Sequence, residues 1–365
     1  MLIELNKLPA KQIDIADYLE DMYIIPLETK SDNLMGQYNG FEQDDTDIFY
    51  LSRENQTIYH FSITGKYLNS ISRMGKGPGE YASVRNMHIV PGTQTILLSD
   101  PRQGKIIQLT YTGKLVKEFA LPQSTARFVV LNKNTIALHG GKMIGLDGNK
   151  PVGSDLVFMD LNGKITGRKF PFSTPLSFEF SNAFTRPNAD GSYYYSKQFD
   201  FNLYQVKDTS QPDIFLKFDY GKGMVTLDDL KGTGMDGLSI LRKEGKTFTI
   251  DRPFNTYDQL GLINYKDRKT SLLIINKKTL KMMAFGTDSL SSPGNFHGFP
   301  VRLPVDTYKT HFLYTMDAVD LYDLIQNLSP DQIKTLKKHV KGFDKILSIK
   351  QEDNPVLVYY RFRDF

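Results

Sequence analysis

The sequence predicts an all-β protein, a six-bladed β-propeller with a small helical insertion near its C-terminus. Three observations carry this: short hairpin units recur along the chain, the same glycine turn closes successive units, and a lone strand pattern stands near each end. Residues 48–74, IFYLSRENQTIYHFSITGKYLNSISRM, read as an apolar strand, a polar turn, a strand ending His60-Phe61, a turn at Thr64-Gly65-Lys66 and a third strand. Residues 95–119 repeat that plan, with Thr112-Gly113-Lys114 at the equivalent turn, 48 residues further on. A third copy spans 135–170 and carries Asn162-Gly163-Lys164 after a longer insertion. Such dipeptides between alternating runs are hairpin turns, because glycine enters φ > 0 without steric cost. Residues 192–221 form a looser fourth unit, 247–285 a fifth, and 296–318 with the final strand 354–363 a sixth. Six units over 365 residues give about 61 residues each, which suits three- or four-stranded blades with insertions.

The segment 22–28, MYIIPLE, has no hairpin partner nearby. Pairing it with 355–362 would close the ring and remove exposed sheet edges, so residues 1–365 are expected to form one propeller. Residues 318–341 break the β pattern, with Leu321, Leu324, Ile325 and Leu328 at helical spacing. Ser329-Pro330-Asp331-Gln332 then supplies an N-cap, a proline at the first helical position and a glutamine at N3, and Gly342 is a C-terminal stop. A helical hairpin is therefore placed at 318–345. Its Lys334, Lys337, Lys338, Lys341 and Lys345 read as a solvated face rather than a nucleic-acid patch.

Composition narrows the function classes. Lys and Arg total 45 against 41 Asp and Glu, a scattered excess of +4 that argues against nucleic acid as the main partner. No run reaches the roughly 18 apolar residues of a membrane helix, so no transmembrane segment is expected. Without cysteine there are no disulfides, thiolate zinc sites or cysteine nucleophiles. The opening MLIELNKLPAKQIDIADYLEDMYIIPLE has polar residues where a signal peptide has its apolar centre. A cytoplasmic protein and an exported one whose export segment is not in this chain both remain open.

Three segments taken in order carry a family resemblance: IIPLETKSDNLMG at 24–36, GKYLNSISRMGKGPGEY at 65–81 and DNPVLVYYRFR at 353–363. Together they resemble a six-bladed propeller family abundant in Bacteroidetes, largely of unknown function. The stretch 181–206, SNAFTRPNADGSYYYSKQFDFNLYQV, fits its fourth blade. The resemblance covers nearly the whole chain. It implies export, often as a lipoprotein, and hence a periplasmic or outer-membrane-anchored location. It also implies similarity to NHL-type propellers, most of which bind ligands or partners while a minority are lyases or hydrolases.

In a propeller, the loop from one blade's outer strand to the next blade's inner strand ends at the channel mouth, where ligand sites gather. The segment from Met74 to Tyr81 is such a loop. It reads two ways. Lys76, Glu80 and Tyr81, followed by Arg85 and His88, face a ligand; or the loop is a structural crossover whose Glu80 satisfies backbone donors. Equivalent positions elsewhere are Tyr38 and Asn39, Arg127, Asn182, and His297 with Arg302. Arg, Asn, His and Tyr at a channel mouth suit an anionic or polyhydroxylated ligand, or else simply line a wet channel. The run Glu42 to Asp47 could offer carboxylates to calcium but lacks the glycine and terminal glutamate of a loop site. Gly232 to Gly237 spells a dinucleotide fingerprint without the strand–helix context it needs. The six histidines, 60, 88, 139, 297, 311 and 339, include no helical zinc pair, and nucleophile-elbow and Walker motifs are absent. No catalytic or metal-ligating residue is assigned and no cofactor is expected, save a divalent cation in the channel under the enzyme reading. The leading expectation is an envelope propeller that binds a glycan, a peptide or a partner protein. The alternative is an NHL-like metal-dependent lyase or hydrolase.

Overall fold

The computed structural model describes residues 1–5, 15–36, 38–121, 127–140, 146–147, 150–151, 153–171, 183–197, 199–226, 228–229, 240–241, 243–247, 250, 253–266, 269–287 and 294–365. The protein is all-β, with six mainly antiparallel blade sheets in a propeller arrangement and two short α-helices among the described residues. Blade one pairs Tyr38–Gln43, Asp47–Ser52, Ile58–Ser62 and Tyr67–Ile71 in sequence order, and blade two does the same with Asn86–Ile89, Thr95–Asp100, Lys105–Thr110 and Leu115–Ala120. Blade three uses Phe128–Asn132, Thr135–His139, Ser154–Asp160 and Ile165–Pro171. Blade four uses Tyr193–Ser196, Asn202–Val206 and Asp213–Asp219, and blade five Phe254–Asn255, Gln259–Lys266, Lys269–Asn276 and Met282–Thr287. Two compact units carry these sheets: Met1–Lys11 with Phe119–Gly286 holds blades three to five, and Gln12–Glu118 with Thr287–Phe365 holds blades one, two and six.

Blade six draws on both ends of the chain. Asp306–Tyr308 and His311–Met316 are followed in the sheet by Val356–Phe362, which pairs antiparallel with Leu19–Pro26 from Asp21↔Arg361 to Pro26↔Val356. The N-terminal strand thus covers an edge that would otherwise stay open. Leu2–Glu4 adds to blade four, running parallel to Asp213–Asp219 with Leu2 opposite Lys217. Nothing in the local sequence pattern marks this strand, because three residues are too few to show a period. Helices α1 (Ala318–Gln326) and α2 (Pro330–His339) sit between the second and third strands of blade six. The Ser329 side chain accepts from the Gln332 amide, while the Gln332 side chain accepts from the Ser329 amide, completing the capping box. Gly342 adopts φ 80° where the helical segment stops, and all five lysines of the insertion are exposed.

Position within a blade sets the burial pattern. Middle strands such as Asp47–Ser52 and Thr95–Asp100 are buried on both faces, so they read as continuous apolar runs. Outer strands such as Leu115–Ala120 have one wet face and alternate. Each unit packs its core between neighbouring blades: Phe49, Leu51, Ile58 and Ile71 of blade one meet Met87, Ile96, Leu98 and Ile107 of blade two, and Val129, Leu156 and Phe158 of blade three meet Tyr193, Tyr195 and Val206 of blade four.

The three glycine turns share one geometry. Gly65, Gly113 and Gly163 have φ of 86°, 83° and 86°, and each amide donates to the carbonyl three residues back, at Ser62, Thr110 and Asp160. At Gly65 the conformation is doubly required, because a β-carbon there would lie 2.0 Å from the Pro26 carbonyl oxygen. Gly65→Ala is expected to cost about 2 kcal/mol or more, from left-handed strain plus backbone displacement. A urea titration checks this; a change under about 0.5 kcal/mol, the level of an ordinary surface substitution, would refute it.

Candidate functional site

The glycine-rich crossover between blades one and two is held by its own groups. Arg73, just before it, donates from Nε to the Gly79 carbonyl at 3.0 Å and from a terminal nitrogen to the Gly113 carbonyl at 3.1 Å. Glu80 accepts the Gly77 amide at 2.8 Å, and Glu118 accepts the Gly79 amide at 2.9 Å. Lys105 donates to the Gly77 carbonyl and pairs with Glu118 at 3.0 Å. The Gly79 amide and Lys105 together hold the Glu118 carboxyl below its ordinary value. Tyr81 is fully buried, its hydroxyl placed to donate to the Gln56 or Ile71 carbonyl, so the phenol is not presented to solvent. Lys76 and Arg85 are exposed. His88 is buried on the inner strand of blade two, 3.5 Å from the Glu42 carboxylate.

The remaining positions are dispersed. His297 occupies a hairpin tip at φ 53° and stacks on His339 of α2 at 3.9 Å between ring centres, while Arg302 pairs with Asp320 of α1 at 2.7 Å. Both therefore engage the helical insertion. Tyr38 donates to Asp306 at 3.3 Å, and Asn39 is half-buried. Arg127 is half-buried at the start of blade three, and Asn182 lies outside the described residues, as does the segment Gly232 to Gly237. The acidic run is taken up by neighbours: Asp44 accepts Tyr111 at 2.9 Å, Asp45 accepts Tyr308 and Lys309, and Asp47 faces His60 at 2.5 Å. Among the described residues no three His, Asp or Glu side chains are gathered as a metal ion would require.

A second group of ionisable residues, which no motif announced, lies where blades three and four adjoin within one unit. His139, at the end of a blade-three strand, is buried; its Nδ1 is 2.9 Å from the Tyr195 hydroxyl, and its Nε2 has no partner. Burial, and secondarily the Arg127 charge, push the imidazole down to about 4. Tyr195 reaches the Asp155 carbonyl at 2.8 Å. The Asp155 carboxyl is pushed up to about 6 by burial; Lys197 opposes that shift and Asp200 adds to it. Lys197 lies 3.4 Å from Asp200 and over the Phe170 ring at 5.4 Å. Asp200 also accepts the Asn202 amide groups and the Tyr204 hydroxyl at 2.8 Å. Phe170 and Phe199 both hold left-handed backbone, at φ 53° and 55°. For a bulky side chain that costs about 1–3 kcal/mol, and such strain concentrates at ligand sites. Elsewhere in the same unit, Lys277 is cradled by three neutral oxygens, Asn188 Oδ1, Asn255 Oδ1 and the Thr256 carbonyl, and burial pushes it down to about 8. Its donors are thereby occupied.

Fold and site define a six-bladed propeller with a compact ionisable cluster at the loop ends of two blades. The chain belongs to the family described as Domain of unknown function (DUF4934), whose model matches residues 3–361. A candidate exported protein from Bacteroides fragilis shares 18% identity over all of both chains with a TM-score of 0.76. A member of the DUF4221 family from Bacteroides vulgatus shares 10% identity over 94% of this chain and 97% of its own, with a TM-score of 0.54. These likenesses speak for the fold. No curated protein matches the sequence. Among the described residues no helix is long and apolar enough to cross a membrane.

Proposed function

We propose that the protein is a binding propeller of the bacterial envelope, which engages a glycan, a peptide or a partner protein through the loop ends of its blades. The observation that carries this reading is the cluster at Asp155, Lys197 and Asp200. There a half-buried carboxyl that accepts no side-chain hydrogen bond among the described residues stands on a blade-three strand with Phe170 nearby, and an ion pair and Phe199 occupy the loop after the first strand of blade four. The likeness to a candidate exported protein supports an envelope location, with anchoring as a lipoprotein and kinship to NHL-type propellers as part of the same proposal. The competing metal-dependent lyase or hydrolase needs several His and carboxylate ligands on one point, and the described histidines 60, 88 and 311 are each paired with a separate carboxylate instead.

Thermal melting with calcium, with zinc and with excess EDTA tests the choice, together with peptide and glycan arrays. The binding reading expects array hits and a melting temperature indifferent to all three additions. A rise of several degrees with one cation, reversed by chelation, would overturn it in favour of the metal-dependent enzyme.

A further inference from the structure

We propose that the lysine face of the helical insertion is a docking surface for an anionic phospholipid bilayer, held by charge alone with no part of the helix entering the lipid. This contact is separate from ligand binding at the blade loop ends and does not rest on it.

The charge of the chain is concentrated here. The whole sequence carries a formal +4, and residues 330–345 hold five lysines against two aspartates, so this one segment supplies +3 of it. Helix α2 turns about 100° per residue, which gathers Lys334, Lys337 and Lys338 within an arc of about 100° on the side away from Leu336. Leu336 is buried and all three lysines are exposed. Lys341 and Lys345 continue the exposed basic series beyond the helix. Lys341 lies 3.5 Å from Asp21, a carboxylate it shares with His311. Among the described residues Lys334, Lys337, Lys338 and Lys345 make no ion pair, and the exposed Asp331 and Asp344 neutralise none of them by contact. The positive field reaches the neighbouring hairpin: His297 stacks on His339, and burial, followed by the charges of His339 and Lys338, holds its imidazole below the ordinary value.

The face is firmly mounted. Leu336, Val340, Phe343 and Ile346 are all buried, and Val340 pairs with Met22 of the N-terminal strand. No large apolar side chain between 330 and 345 is exposed, so the surface offers lysine without an apolar wedge. An interfacial helix that enters lipid presents Trp, Phe or Leu beside its cations, and this one presents none.

Residue type then chooses the partner. Lysine is a hydrated point charge on a flexible stem, without the planar fork with which arginine fits a single carboxylate or phosphate. Protein interfaces are poor in lysine and rich in Arg, Tyr and Trp. Sequence-specific and single-stranded nucleic-acid sites use arginine forks or aromatic platforms. The face has no arginine, and the one aromatic side chain of residues 330–345, apart from the half-buried His339, is the buried Phe343. A convex row of mobile point charges suits a laterally extended sheet of headgroup phosphates, where each lysine near the surface contributes about fivefold in partition.

The test uses the full chain and co-sedimentation with vesicles of phosphatidylcholine, alone or with about 30% phosphatidylglycerol, beside duplex DNA and polyglutamate as soluble polyanions. The expected result is binding to the anionic vesicles only. Raising salt from about 0.1 M to about 1 M shortens the screening length from about 10 Å to about 3 Å and should release the protein. The variant carrying Lys334→Gln, Lys337→Gln and Lys338→Gln should partition about a hundredfold more weakly. A second variant, with Lys66→Gln, Lys114→Gln and Lys164→Gln, removes the same charge from exposed turn positions and should bind as the parent does. Both should melt with the parent, because every substituted residue is exposed. Equal losses in the two variants would reduce the effect to net charge and overturn the face. Vesicle binding that survives high salt would overturn the charge-only contact. Equal or tighter binding to either soluble polyanion would overturn the lipid assignment. No vesicle binding at low salt would overturn the inference outright, while leaving ligand binding at the loop ends untouched.

Discussion

Asn354→Ala is expected to lower stability by about 4 kcal/mol, a drop of several degrees or more in melting temperature. Asn354 is buried at 3% exposure, and its side chain ties the last strand's approach to the remote segment 28–35. Its Nδ2 reaches the Glu28 carbonyl at 3.1 Å and the Asn33 carbonyl at 3.1 Å, while its Oδ1 accepts the Met35 amide at 3.0 Å. Its backbone amide donates to Thr29 Oγ1 at 2.8 Å. Truncation leaves buried backbone groups unpaired, each costing about 1–3 kcal/mol, and water does not reach them at this depth. Asn354→Asp is the informative companion: it keeps the acceptor for Met35 and removes the donors, so it should also fall by more than about 2 kcal/mol. Chemical denaturation measures both. Loss of less than about 1 kcal/mol for the alanine variant would mean that the clamp is wet or redundant.

The same contacts explain why the family resemblance was legible in the sequence and the candidate site was not. Glu28, from the first motif, accepts the Tyr67 amide at 2.8 Å and donates its own amide to the Gly65 carbonyl, inside the second motif. Asn354 belongs to the third. Motifs far apart in the chain thus record one architectural knot, where glycine conformations, a buried asparagine and a strand pairing must agree. Hairpin turns at Gly65, Gly113 and Gly163 are local and were readable for the same reason. The glycine-rich crossover reads two ways because glycine and proline serve an unusual backbone path whether or not a ligand follows it; Arg73, Glu80 and Glu118 hold that path.

The cluster at blades three and four left no comparable trace. Asp155 stands on a blade-three strand and Lys197 and Asp200 in a blade-four loop, and what makes them notable is their burial together, which only tertiary structure creates. The same holds for the left-handed backbone of Phe170 and Phe199, since no local rule places phenylalanine at φ > 0. One usable signal existed. His139 closes the apolar run Thr135–His139, and an imidazole ending a fully buried strand invites the question of what it meets.

The buried Asp155 and His139 should conceal each other's pH dependence. At about pH 5 the native protein carries a proton on Asp155, which titrates at about 6, and none on His139, which titrates at about 4. The unfolded chain holds the opposite arrangement, with aspartate ionised near 3.8 and histidine protonated below 6.5. Both states bind one proton, so the pair adds no slope to the stability curve across this window. Each single variant exposes the partner. In Asp155→Asn only His139 remains; the unfolded state then binds more protons, so stability rises by about 3 kcal/mol between pH of about 4 and about 6.5. In His139→Asn only Asp155 remains; the native state binds more protons, so stability is full below about 4 and falls by about 3 kcal/mol as pH climbs through about 6. At about pH 7.5 Asp155→Asn should exceed the parent by a similar amount, because it removes a desolvated charge that Lys197 offsets only in part. Urea titrations from about pH 4 to about pH 7.5 on the parent and both variants read this directly. A flat profile for His139→Asn, or an Asp155→Asn variant no more stable than the parent at about pH 7.5, would mean that the Asp155 carboxyl is solvated.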